Sequence, residues 1–265
     1  MPVNIAVVTK LVPDTEARLA VAGARVDLTG VDMVLSPFDE YALEEALKLK
    51  DAHEGTVVSV LMVGPESARK QVVNCLALGA DEAFVIDDAA IDGRNPLAVA
   101  KVLAAQVRKL NPILVFAGKQ GVDYDWGLTA IALAQELDWP HAGVVKQFTP
   151  DFSAGTFSAV SEADEGDLTF TGSLPAVITA EKGLNTPRYA SLKGIMAAKK
   201  KPFSVLKLGE TGADAAAVGA DAARVEELGV SPPPARAPGR LIPGEELADR
   251  VRELVRVLRE EAKVL

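Results

Sequence analysis

Apolar residues in the first half of the chain alternate between two spacings. Val3 to Val8, Thr56 to Val63, Ala83 to Ile86 and Pro112 to Ala117 are short, apolar-rich runs. Such runs predict strands buried on both faces of a sheet. Between them, Pro37 to Lys50, Ser67 to Leu78, Pro96 to Leu110 and Leu128 to Leu137 carry apolar residues at helical spacing. Val99, Val102, Leu103, Val107 and Leu110 fall on one helical face, and Gly79 stands where the second helix should end. This alternation predicts βαβ units: an α/β fold with a mostly parallel sheet and flanking helices. In such sheets ligands bind outside the carboxyl ends of the strands.

After about Ala142 the pattern changes. Val144 to Phe148, Thr156 to Ser161, Leu168 to Thr171 and Ala176 to Ala180 read as strands joined by short polar turns, a later β-rich segment. A loop is expected from Glu181 to about Lys201, followed by a Gly/Ala stretch from Gly209 to Ala223. The run Ser231 to Pro238 holds four prolines and reads as an extended tether. From Gly244 onward Leu247, Val251, Leu254, Val255 and Leu258 line one face of an amphipathic helix ringed by arginines. Its apolar face suits either its own domain or a partner. The expected division is an α/β domain over residues 1–205 and a C-terminal arm with a helix over 206–265.

With 265 residues, 49% of them hydrophobic, the chain is long enough for a sizeable core. A net charge of -9 disfavours broad nucleic-acid binding, since phosphates are repelled. The single cysteine, Cys75, permits no disulfide framework within one chain and suits a reducing compartment; it reads as a small core residue. Two histidines, His53 and His141, are too few for a histidine metal cluster and read as a solvated helix end and a loop residue. The start lacks a basic segment leading into a longer apolar one, and no run of about 18 apolar residues occurs, so a cytoplasmic protein that is not membrane-embedded is expected.

Three strand-to-helix corners carry the candidate chemistry. In Leu35-Ser36-Pro37-Phe38-Asp39, Ser36 fits an N-cap, Pro37 the first helical position and Asp39 the third, which would satisfy the first-turn amides from within. In Val63-Gly64-Pro65, Gly64 allows a tight turn or a close ligand. In Gly118-Lys119-Gln120-Gly121-Val122-Asp123-Tyr124-Asp125, two glycines and a lysine before a helix fit an anion cradle. Neither GxGxxG nor GxxxxGK[ST] occurs, so a dinucleotide fingerprint or P-loop is not supported. All three corners fall where a parallel sheet holds its ligand, and a mononucleotide would span them. No set of nucleophile, base and orienting group can be assembled, so no catalytic residue is assigned.

Several stretches resemble the electron-transfer flavoprotein β subunit. Lys10-Leu11-Val12-Pro13-Asp14-Thr15 is similar to the family's K-x-V-P-D-T, and Ser36 to Ala46 to its N-P-F-D-E-Y-A-L-E-E-A. Ala77 to Asp81, Gly118-Lys119-Gln120 and Asp138-Trp139-Pro140 are similar to A-M-G-A-D, the opening of G-K-Q-A-I-D, and D-W-P. The most specific match is Leu174 to Thr179, then Leu184-Asn185-Thr186-Pro187-Arg188-Tyr189, Leu192, Ile195-Met196 and Lys199 to Lys201.

The resemblance implies an adenine-nucleotide-binding α/β fold and an electron carrier subunit rather than an enzyme. It implies AMP bound at Val8, Ser36 to Asp39 (Ser36, Pro37, Phe38, Asp39), Val63, Gly118 to Asp123 (Gly118, Lys119, Gln120, Gly121, Val122, Asp123), Asp125, Gly127, Leu128 and Thr129. Gly127 and Leu128 stand where the family often has Asn-Gln, so contacts there fall to backbone amides and Thr129. FAD would be held mainly by an α subunit, with Asp14, Thr15 and Glu162 near it; Ser161 replaces the arginine that commonly precedes this glutamate. A loop with Arg188, Tyr189, Leu192, Ile195, Met196, Lys199 and Lys200 would dock acyl-CoA and related dehydrogenases, Leu192 acting as its anchor. Electrons would pass on to a quinone oxidoreductase. The C-terminal arm and helix would pack on the α subunit. Two alternatives stand beside this reading. In electron-bifurcating members FAD replaces AMP and NADH takes part. An ATP-binding domain of the universal-stress type would need the Gly-rich phosphate loop that is missing.

Overall fold

A computed structural model describes residues 3–23, 25–225, 228–236 and 238–265. In chain order it begins with β1 (Asn4–Thr9), β2 (Leu11–Pro13), β3 (Ala20–Ala22), β4 (Arg25–Asp27), β5 (Met33–Leu35), α1 (Pro37–Ala52) and β6 (Val57–Val63). It continues with α2 (Arg69–Leu78), β7 (Glu82–Ile86), α3 (Pro96–Leu110), β8 (Leu114–Gly118) and α4 (Thr129–Leu137). Then come β9 (His141–Asp151), β10 (Thr156–Ala163), β11 (Gly166–Ser173), β12 (Ala176–Ala180), α5 (Leu192–Ala198) and β13 (Phe203–Leu206). The chain closes with α6 (Leu208–Thr211) and α7 (Leu247–Arg256).

Nine strands form one sheet in the order β11-β10-β9-β12-β8-β1-β6-β7-β13. Every pairing from β9 to β13 is parallel, and only β9-β10-β11 is antiparallel. The expected α/β class therefore holds. In β1 the two-residue period divides the side chains between layers: Ile5 and Val7 pack with α1 and α2, Ala6 and Val8 with α3 and α4. Both layers are closed, so the central strands are mostly apolar, with Thr9, Ser59 and Thr179 as buried polar exceptions.

The chain first extends the sheet on one side of β1, through β6 and β7, and then crosses to place β8 on the other side. The strand order reverses at β1. Neighbouring loops diverge at such a point and leave a crevice at the carboxyl ends.

Several expectations need correction. The segment 181–201 is not all loop: Ser191 accepts the Gly194 amide at 3.0 Å and starts α5, a helix too short to announce itself by periodicity. His141 is not in a loop but opens β9, which runs well beyond Val144 to Phe148 at both ends. Ser36 makes no side-chain cap at α1; its buried hydroxyl donates to the Gln120 carbonyl at 3.4 Å. Cys75 is buried, as expected, and His53 is an exposed helix end.

The chain separates into two compact units, Met1–Leu19 with Asp27–Leu228, and Ala20–Val26 with Gly229–Leu265. In the first, Leu208 and Val218 pack with Ile86, Ala98 and Val102. In the second, α7 runs into a π-helical turn over Val257–Glu261, and Arg256 pairs with Glu253, Glu260 and Glu261. Leu247, Val251 and Leu254 of α7 are exposed.

Candidate nucleotide site and docking segment

Asp39 organises the crevice. It lies in the first turn of α1, but its carboxylate leaves that helix. One oxygen accepts the Lys10 amide at 2.7 Å and the other accepts the Gly118 amide at 2.9 Å. One buried side chain thus joins the ends of β1 and β8 to the start of α1. Burial pushes the Asp39 carboxyl up to about 7, against the opposing pull of the two amides. The expectation that Asp39 caps its own helix gives way to this bridging role.

The approach at Gly118 is close. A Cβ there would lie 2.6 Å from Asp39 Oδ1 and 2.7 Å from Phe38 Cβ, so a side chain would break the bridge. Lys119 pairs with Glu181, and its ammonium lies 4.8 Å from the centre of the Phe38 ring. Lys10 pairs with Asp123 at 2.6 Å, and Gln120 donates to Asp125 at 2.8 Å.

These residues border a cleft. Among the expected nucleotide residues, Val8, Asp39, Val63, Gly118, Lys119, Gln120, Gly121, Asp123, Gly127, Leu128 and Thr129 line it. Ser36, Pro37, Phe38, Val122 and Asp125 are not among its lining residues. Gly127 has φ +60°, and α4 starts directly after Leu128 with no side-chain cap. The amides of that first turn, with the helix dipole, favour an anion.

A second feature lies in the segment after β12. Asn185 donates to the Tyr41 carbonyl and to Glu45, both at 2.9 Å. Arg188 forks onto Glu44 at 2.8 and 3.0 Å and reaches Asp51 at 2.9 Å. Glu44 and Glu45 are buried acids on α1 that hold this segment down. Past the clamp the chain turns outward: Tyr189 is 98% exposed, Leu192 85% and Met196 65%, with Ile195 also exposed. Gly194 packs α5 against α2 so closely that a Cβ would overlap the Ala77 carbonyl oxygen. The Lys201 ammonium donates to the Leu76 and Ala80 carbonyls at 3.0 and 2.5 Å, where α2 ends. Lys199 and Lys200 are exposed.

Comparison with known proteins gives concordant results. A family model described as "Electron transfer flavoprotein domain" matches residues 24–211. "Electron transfer flavoprotein subunit beta" of Bacillus subtilis is 35% identical over 266 residues, covering 99% of this chain and 100% of the relative. The protein of the same name from Bradyrhizobium diazoefficiens is 36% identical over 264 residues, again covering 99% and 100%. "Caffeyl-CoA reductase-Etf complex subunit CarD" of Acetobacterium woodii is 33% identical, covering 97% of this chain and 98% of the relative.

The chain belongs to the electron transfer flavoprotein β-subunit family.

In this electron transfer flavoprotein subunit the residues expected near the flavin sit outside the cleft. Asp14 forms a turn after β2, accepting the Glu16 amide at 2.8 Å and donating its own amide to Asp32, and Thr15 beside it is exposed. Glu162 lies on β10, 71% exposed at the side chain; Lys146, 4.0 Å away, reaches Asp167 on β11 at 2.5 Å. Sequence reasoning missed Thr9, Lys10, Arg94 and Pro96, which line the cleft with Tyr124 and Trp126 of the 118–129 stretch. Lys10 stood inside the K-x-V-P-D-T match, which was its available signal. No helix among the described residues is long and apolar enough to cross a membrane.

Proposed function

We propose that this chain is the β half of a heterodimeric electron-transfer flavoprotein, binding AMP as a structural ligand in the cleft at the β1–β8 reversal. The observation that carries this reading is that cleft: Gly118 admits no side chain, Asp39 fixes the two strand ends, and the first turn of α4 presents its amides. These features fit a phosphate monoester. Lys10 and Lys119, each paired with an acid, add positive charge without a large excess. The family assignment supports flavin in the complex and an α-subunit partner. FAD, held mainly by that α subunit, supplies the redox chemistry when bound.

The chain's own task is placement. Glu44 and Asn185 anchor the segment that exposes Leu192, so the docking surface is fixed to α1 of the nucleotide-binding unit. That surface takes acyl-CoA and related dehydrogenases as electron donors, and a quinone oxidoreductase receives the electrons. The exposed apolar residues of α7 suit packing on the α subunit. Thermal unfolding of the nucleotide-stripped heterodimer tests the adenylate: the midpoint rises with added AMP and rises less with the same concentration of adenosine. No rise with AMP refutes the site.

A second reading is favoured by one relative, the CarD subunit, which matches over nearly its full length. In it FAD replaces AMP and NADH is a donor. Flavin absorbance separates the two, since one FAD per heterodimer fits the first and two the second.

A further inference from the structure

The lining of the cleft mixes two chemistries. Gly118, Gly121, Leu128 and Thr129 belong to the strand-to-helix turn with its amides, and Val63, Pro96, Val99 and Leu103 are apolar. Trp126 lines the same cleft and is 45% exposed. Tyr124 meets it edge-on, ring centres 6.0 Å apart at 71°, and Lys10 Nζ lies 5.3 Å from the Tyr124 ring centre. Trp126 is thus propped from one side by an aromatic edge that is itself braced by a cation.

Several polar side chains of the lining are already engaged. Gly127 and Leu128 bring no polar side chain. Asp39 is used by two amides, Asp123 by Lys10, and the Gln120 amide nitrogen by Asp125. A flat heteroaromatic ring gains most from a large apolar face, and indole is the largest side-chain face available.

Resting on the adenylate reading, we propose that Trp126 is the stacking platform for the base of a purine mononucleotide.

Titration calorimetry on the nucleotide-stripped heterodimer, with AMP, GMP and ribose 5-phosphate, tests this. Ribose 5-phosphate should bind more weakly than AMP by about 5- to 150-fold, the value of one stacked base. Trp126→Ala should lose that factor for both nucleotides and leave ribose 5-phosphate unchanged, while Trp126→Phe retains most of it. Trp126→Leu, which keeps apolar bulk, guards against a folding defect and should bind like the alanine variant. Unaltered AMP affinity in a folded Trp126→Ala or Trp126→Leu protein overturns the platform and leaves the adenylate reading standing. Wild-type protein that binds none of the three sinks both.

Discussion

Asp39→Asn isolates the bridge that shapes the cleft. The wild-type carboxylate accepts two amides, from Lys10 at 2.7 Å and Gly118 at 2.9 Å, one on each oxygen. Asparagine keeps one acceptor and turns an NH₂ toward the other amide, leaving a buried donor unpaired at about 1–3 kcal/mol. Removing a buried charge works the other way. The Asp39 carboxyl is raised from 3.8 to about 7, so between those values the folded chain holds a proton that the unfolded chain has released. Stability from this group is therefore fully present below about pH 4, falls as pH rises, and is lost above about pH 7. That window bounds the swing at about 4 kcal/mol. Denaturant unfolding at pH 5 and pH 8, with unchanged slope, measures it. The variant should be clearly less stable at pH 5, and the deficit should shrink or reverse at pH 8. A deficit equal at both values would show that Asp39 is not a buried titrating bridge.

Leu192→Ala should raise the Michaelis constant for the heterodimer as acceptor of dehydrogenase electrons by about 10-fold or more, since a leucine side chain gains about 1.5–3 kcal/mol on full burial. Its unfolding midpoint should not move, because Leu192 is already 85% exposed. Gly194→Ala forces α5 off the Ala77 carbonyl and should cost about 1–3 kcal/mol with a parallel loss of docking; unchanged unfolding and docking would mean α5 yields freely. Burial pushes the Cys75 thiol up to about 12, so iodoacetamide should label it only after unfolding. Labelling of the native protein at pH 8 would contradict that.

The fold was legible where period and burial agree. The runs at β1, β6, β7 and β8 are apolar because both faces are covered, and the helices between them each show one apolar stripe. Short elements were not legible. β2 and β5 span three residues each and α5 seven, too few for a period. The glycine corner at 118–121 was readable because a cradle needs small residues. Trp126 lies within the 118–129 stretch, but only the fold brings it to the same cleft as Val63 and Pro96, some 60 and 30 residues earlier in the chain. Asp39 was read locally as a capping residue, the commonest use of an acid in a first turn, whereas its partners lie 29 and 79 residues away. Arg188 and Glu44 likewise meet only in the folded chain, across 144 residues.

The most direct check is the small-molecule content of freshly purified heterodimer, released by heat and separated by ion-exchange chromatography with mass detection. If the sheet ends enclose a purine monophosphate, one AMP should emerge for every FAD. Recovery of FAD alone, with no adenylate at any protein concentration, would contradict the account.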